Sequence, residues 1–130
     1  MDIEFWGVRG TSPVCGREQV RHGGGTACAS LITASNRLFV IDAGTGIRDL
    51  GGRLGRTGAG GPLDLALFLT HFHLDHIIGF PFFAPVYSPD AAITIYAAAE
   101  PGETERCLSG LMAGRNFPLE LSETPSGKTY

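Results

Sequence analysis

The segment Leu69-Thr70-His71-Phe72-His73-Leu74-Asp75-His76-Ile77-Ile78-Gly79 places three of the chain's four histidines and one aspartate within six residues. It follows directly on an apolar run, Leu63 to Thr70 (LDLALFLT), that reads as a buried strand. If the backbone leaves that strand still extended, residues two apart point the same way, so His71 and His73 project side by side and can share one metal. Asp75 and His76 follow where the chain turns toward a helix, which displaces their donor atoms and suits a second metal nearby. Imidazole nitrogen and carboxylate oxygen are ligands for zinc and similar divalent ions. Two such ions can generate hydroxide at neutral pH and hold both the attacked group and the leaving oxygen, so no Ser, Cys or Lys nucleophile is required. The plainer alternative is a polar loop whose histidines only hydrogen-bond.

Outward from this motif, short apolar segments alternate with glycine-rich loops. Ile3, Phe5 and Val8 with Trp6 make a first strand, Thr26 to Thr33 (TACASLIT) a second, Arg37 to Ala43 (RLFVIDA) a third, and Ala92 to Ala97 (AITIYA) a later one. Gly46 to Leu54 reads as a short helix ended by Gly55. Glu103 to Ala113 reads as another, with Cys107, Leu108, Leu111 and Met112 at the spacing of a core-facing stripe. Arg9 to Gly25 is a long loop carrying Pro13 and Gly23-Gly24-Gly25, of a length that in a small domain is usually either functional or mobile. Pro81 and Pro85 break the apolar stretch Ile77 to Val86; Phe80, Phe82, Phe83 and Tyr87 either pack a core or wall a substrate entrance. The stretch Gly55 to Gly61 lacks the GKS or GKT of a phosphate loop.

Composition bounds the function. The 130 residues hold 10 Lys plus Arg against 13 Asp plus Glu, a net charge of -3, with 43% apolar residues, enough for the core of one small domain. A mildly acidic chain without a basic run argues against an electrostatic nucleic-acid clamp, because such affinity comes from clustered cations. Recognition of a small anion at one site stays open. Arg9, after the first strand, either pairs with a phosphate or is a plain surface arginine. His22, beside the triple glycine, either approaches the site or is simply solvated. No stretch approaches the roughly 20 apolar residues that cross a bilayer, and Met1-Asp2-Ile3-Glu4-Phe5 lacks the regions of a secretory signal, so a cytoplasmic protein without a membrane partner is expected. Cys15, Cys28 and Cys107, odd in number and widely spaced, are expected to be reduced thiols.

LTHFHLDHIIG at Leu69 to Gly79 resembles the HxHxDH signature of the metallo-β-lactamase superfamily, and FVIDAGTGIRDL at Phe39 to Leu50 resembles its preceding strand-and-glycine motif. FWGVRGTSPV at Phe5 to Val14, HGGGTACAS at His22 to Ser30 and GFPFFAPVYSP at Gly79 to Pro89 are similar to one branch of it. That branch holds phosphodiesterase-like proteins related to transfer-RNA 3′ processing nucleases, phosphonate-pathway cyclic phosphodiesterases and cyclic-nucleotide-degrading enzymes. The resemblance implies an α/β fold, an αββα sandwich with a dinuclear metal site at the rim of its two sheets. Carried over, His71 and His73 bind the first metal, and Asp75 and His76 the second; zinc is implied, with manganese as the alternative. Asp75 is also the implied catalytic proton acceptor, and Asp42 the implied support of the metal loop. The implied reaction is hydrolysis of a small phosphodiester or nucleotide by metal-bound hydroxide, with thioester or lactam hydrolysis as the alternative on the same fold.

The family pattern needs a third histidine, a bridging aspartate and a last histidine further along. After His76 the chain has no histidine, and its only later aspartate is Asp90. Residues 1–130, with the metal motif at 71–76, are therefore expected to supply about the N-terminal half of such a domain. Two outcomes stay open: a hydrolase completed by a homodimer partner or a complementing C-terminal half, or a truncated, inactive domain that binds metal or a partner. Half a sandwich would leave a sheet face uncovered, including parts of Phe39 to Ile41 and Leu65 to Leu69, and association is expected to follow.

Overall fold

Short, largely apolar segments build a mixed β-sheet in this computed structural model, which describes residues 1–56 and 62–130. Among the described residues six strands pair in chain order: β1 (Asp2–Gly7), β2 (Cys28–Ile32), β3 (Leu38–Ile41), β4 (Leu63–Leu69), β5 (Ala91–Ala97) and β6 (Gly127–Thr129). β1, β2 and β3 are antiparallel neighbours, whereas β3 to β6 run parallel. Parallel strands need a crossover, and α1 (Ile47–Arg56) provides it between β3 and β4, as α3 (Glu103–Leu111) does on the way from β5 to β6. α2 (Leu74–Ile77) is a single turn that follows the histidine pair.

Most expected elements form within a residue or two of their expected limits. α1 differs, continuing through Gly55 to Arg56. A helical glycine costs only about 1 kcal/mol relative to alanine, too little to stop a helix whose Ile47 and Leu50 are buried in the core and whose Leu54 packs against it. β6 was not expected, since Gly-Lys-Thr shows no apolar alternation; it exists through backbone pairing with β5. Of the Gly55 to Gly61 stretch, residues 57–61 lie outside the described residues.

The sheet has two unlike faces. Leu38, Val40, Leu65, Leu67, Ile93 and Ile95 are buried on one, in a core shared with Ile47, Leu50, Leu108 and Met112 from the helical side. Pro81 and Pro85 turn the Ile77–Val86 stretch into two short 3-10 turns, which bury Phe80, Phe83 and Val86 there too. The aromatic alternatives thus divide, for Phe80 and Phe83 are core while Phe82 is 56% exposed.

On the opposite face the register aligns Ile3, Leu31, Phe39 and Ala66 across β1 to β4, and Ile41, Phe68 and Tyr96 across β3 to β5. Phe39, Phe68 and Tyr96 form an aromatic row, with centroids 6.1 and 4.9 Å apart. Ile3, Phe5, Ile41, Phe68 and Tyr96 remain exposed. Within Leu65 to Leu69 only Phe68 is open to solvent, because its neighbours Leu67 and Leu69 point into the core. Among the described residues no helix is long and apolar enough to cross a membrane.

An apolar patch of this kind favours association, since covering it removes hydrocarbon from water. Sedimentation velocity over a micromolar concentration series is expected to show self-association for the native chain and weaker association for Phe68→Lys. A native chain that stays monomeric throughout the series would contradict this.

Candidate metal centre

Parallel pairing of β3 and β4 brings their carboxyl ends together, with Ile41 opposite Phe68. Ligands characteristically bind beyond such ends in α/β sheets. Here the chain leaves β3 at Asp42 in the left-handed region, φ 59°, where aspartate is tolerated better than most residues. The Asp42 amide donates to the Phe68 carbonyl at 2.8 Å. The Ala43 amide donates to the His76 carbonyl at 2.7 Å, and the Gly79 amide to the Ala43 carbonyl at 2.8 Å. Loop 42–46 therefore docks on segment 75–79 backbone to backbone. Gly44 makes that approach possible, because a Cβ there would lie 2.3 Å from the Asp75 carbonyl oxygen and 2.5 Å from Thr26 Oγ1. Thr26 and Thr45 tie the same loop to the start of β2, each amide donating to the other's hydroxyl at 2.8 Å.

The Asp42 carboxylate is 5% exposed and fully engaged. Oδ1 accepts the Thr70 amide at 2.8 Å and the Thr70 hydroxyl at 2.9 Å, and Oδ2 accepts His76 Nδ1–H at 2.8 Å. With the single Thr70 proton directed at Asp42, the 3.0 Å contact between Thr70 Oγ1 and His71 Nδ1 has His71 as donor. The network thus assigns the proton to Nδ1 in both His71 and His76, which leaves their Nε2 lone pairs for an external electrophile. Thr70 was not singled out in the sequence; its position between the strand and the first histidine was the available signal.

The four expected donors gather at one end of the sheet. The His71 ring lies 4.4 Å from that of His73 and 4.1 Å from that of His76, centroid to centroid. His76 Nε2 is 3.6 Å from Asp75 Oδ2. Among the described residues, however, no three His, Cys, Asp or Glu side chains close on a common point for one ion. The donors meet in pairs, as imidazole and imidazole or imidazole and carboxylate. Arg9 donates from Nε to the Gly23 carbonyl at 3.4 Å, and His22 is exposed on the same loop.

Two ionisable groups are displaced by this setting. The Asp75 carboxyl is held below the usual carboxylate range, above all by the Thr11 amide, which donates to Oδ2 at 2.7 Å; partial desolvation opposes this, while its own amide and the nearby His76 and His73 add to it. Burial, reinforced by the negative charge of Asp42, pushes the Cys28 thiol up to about 12. A cavity of about 800 Å³ has walls that include Val14, Gly24, Thr45, Arg48, Gly79 and Phe82, and none of the four donors lines it.

The sequence model described as the metallo-beta-lactamase superfamily matches residues 22–124, most of the chain. No curated protein and no solved structure matches.

Replacing Asp42 with alanine strands the Thr70 amide and His76 Nδ1–H, and is expected to cost about 2 kcal/mol in urea denaturation, as loss of a buried charged acceptor does. Thr70→Val is expected to cost less and to leave His71 in mixed tautomers, read from its 15N ring shifts; unchanged shifts would refute the assigned proton positions. The pH dependence follows from Cys28. Its thiol deprotonates near the ordinary value in the unfolded chain but only near 12 in the fold, so unfolding releases a proton at intermediate pH. This contribution is fully present below the ordinary thiol value and is lost as pH rises toward 12. Urea midpoints should therefore fall over that window, and fall less in Cys28→Ala.

Proposed function

The chain belongs to the metallo-beta-lactamase superfamily, and from that premise we propose that it is a metal-dependent hydrolase of phosphodiesters. The observation that carries this reading is the Asp42–Thr70 network, which engages Nδ1 of His71 and His76 and leaves both Nε2 lone pairs as donors next to His73 and Asp75. The donor chemistry, imidazole nitrogen with one carboxylate, fits zinc or manganese. His71 and His73 would hold one ion, and Asp75 and His76 a second. When bound, such ions supply Lewis acidity and activate water.

The chain's own residues supply the rest. Asp42 and Thr70 fix the ring tautomers, a role that in metal sites keeps ligand nitrogens correctly presented. Asp75, held low, stays ionised at neutral pH, which suits a cation ligand better than a general base, for which a value near 7 is best. Arg9 keeps guanidinium nitrogens other than Nε for phosphate oxygens, and His22 lies on the same loop. The open sheet face of Phe39, Phe68 and Tyr96 supports an αββα reading, in which a second sheet from a complementing half or another copy would cover it.

A second reading is favoured by one observation, that no three donors converge among the described residues. It makes the chain a domain that binds metal or a partner without turnover. Hydrolysis of bis(p-nitrophenyl) phosphate with added zinc or manganese separates the two. The first reading expects activity that falls by at least roughly tenfold in His73→Ala, the scale on which metal-site substitutions act. Equal rates for native and variant chains would support the second.

A further inference from the structure

The loop Gly10-Thr11-Ser12-Pro13-Val14 reaches across the chain to the donor cluster. The Thr11 amide donates to Asp75 Oδ2 at 2.7 Å, between residues 64 apart in sequence. Thr11 sits at φ 65°, and the Ser12 amide donates to the Gly10 carbonyl at 2.8 Å. A hydrogen bond spanning three residues about a positive-φ centre is a γ-turn of the rare, strained kind. Threonine is a poor occupant, because a β-branched residue is disfavoured there. Strain held in place by its surroundings clusters where geometry serves a function.

The loop is fixed at a second point. The Val14 amide donates to the Gly24 carbonyl at 3.0 Å, and a Cβ on Gly24 would lie 1.7 Å from the Val14 carbonyl oxygen. Between these two ties the turn aims one N–H at one carboxylate oxygen. Asp75 is also bounded by His76, whose Nε2 lies 3.6 Å from the same Oδ2. Without the Thr11 amide, its side chain can rotate away from His76.

We propose that Thr11 is a positioning residue for Asp75, its strained backbone turn holding the carboxylate in the orientation that serves cation binding beside His76. This rests on the metal-dependent reading above. The backbone amide, not the threonine side chain, does the positioning. Glycine at position 11 keeps the N–H and relieves the positive-φ strain, whereas proline removes the N–H and imposes a negative φ.

Two measurements test this on the intact chain. In the first, Co2+ is titrated into the native chain, Thr11→Gly and Thr11→Pro, with affinity and the visible ligand-field spectrum as readouts and thermal melts to establish folding. Affinity is expected to fall by about tenfold or more in Thr11→Pro, the scale of lost supporting contacts, with an altered spectrum, and to be retained in Thr11→Gly. Equal affinities in folded native and Thr11→Pro chains, or an equal loss in Thr11→Gly, would overturn the proposal. The second follows the Thr11 amide by hydrogen exchange without metal. Protection in the native chain that disappears in Asp75→Ala supports the contact, and protection unchanged by that substitution overturns it. A native chain that binds no Co2+ would refute the metal-dependent reading, while the exchange result would still decide the positioning contact.

Discussion

One buried carboxylate, that of Asp42, links the sheet to the donor cluster. It sits where β3 ends and receives hydrogen bonds from Thr70, the residue that follows β4, and from a ring on α2. Two parallel strands and the following helical turn are thus tied through a single side chain. The arrangement depends on a left-handed backbone at Asp42, which directs the side chain inward instead of continuing the strand. That conformation costs on the order of 1–2 kcal/mol, which charge-assisted hydrogen bonds in a buried setting can offset. The same negative charge raises the Cys28 thiol, so the carboxylate is felt in the core as well as at the rim.

Around this carboxylate the approach is made by backbone. Loop 42–46 meets segment 75–79 through the Ala43–His76 and Gly79–Ala43 hydrogen bonds, at separations that leave no room for a Cβ on Gly44 or Gly79. The glycine richness of the sequence acquires a local meaning at these positions. A side chain there would push α2 outward and carry His76 off Asp42. Backbone contact of this kind positions donors more tightly than flexible side chains could, because few torsions remain free.

What was legible in the sequence was local. The nearly continuous apolar run of β3 and the apolar segment of β4 read as strands because short apolar stretches of this length report burial. HxHxDH stood out because its donors are adjacent in sequence, and Asp42 entered through a resemblance. Contacts between distant segments left no such trace. Thr11 to Asp75 spans 64 residues and uses a backbone N–H, a group that every non-proline residue carries, so nothing in the letters marks it. Positive φ at Thr11 and Asp42 was equally silent, since neither is glycine. β6 escaped notice because an edge strand of three residues needs partners more than pattern.

Burial divides the labour at the site. His71 and His73 are exposed, whereas Asp42, Thr26 and the glycines of the loop beneath are buried. The groups that would touch a cation contribute little apolar burial, and the groups that orient them belong to the fold's interior. Donor identity and fold stability are therefore largely separable here, in contrast to sites where the ligands themselves close the core. Asp75 lies between these extremes: its carboxylate is reached by an amide from a loop that packs on Gly24 and not on the core. A donor of intermediate burial is thus the one held by a strained turn. The orientation of Asp75 consequently depends on the backbone of loop 9–25 more than on the packing of the sheet.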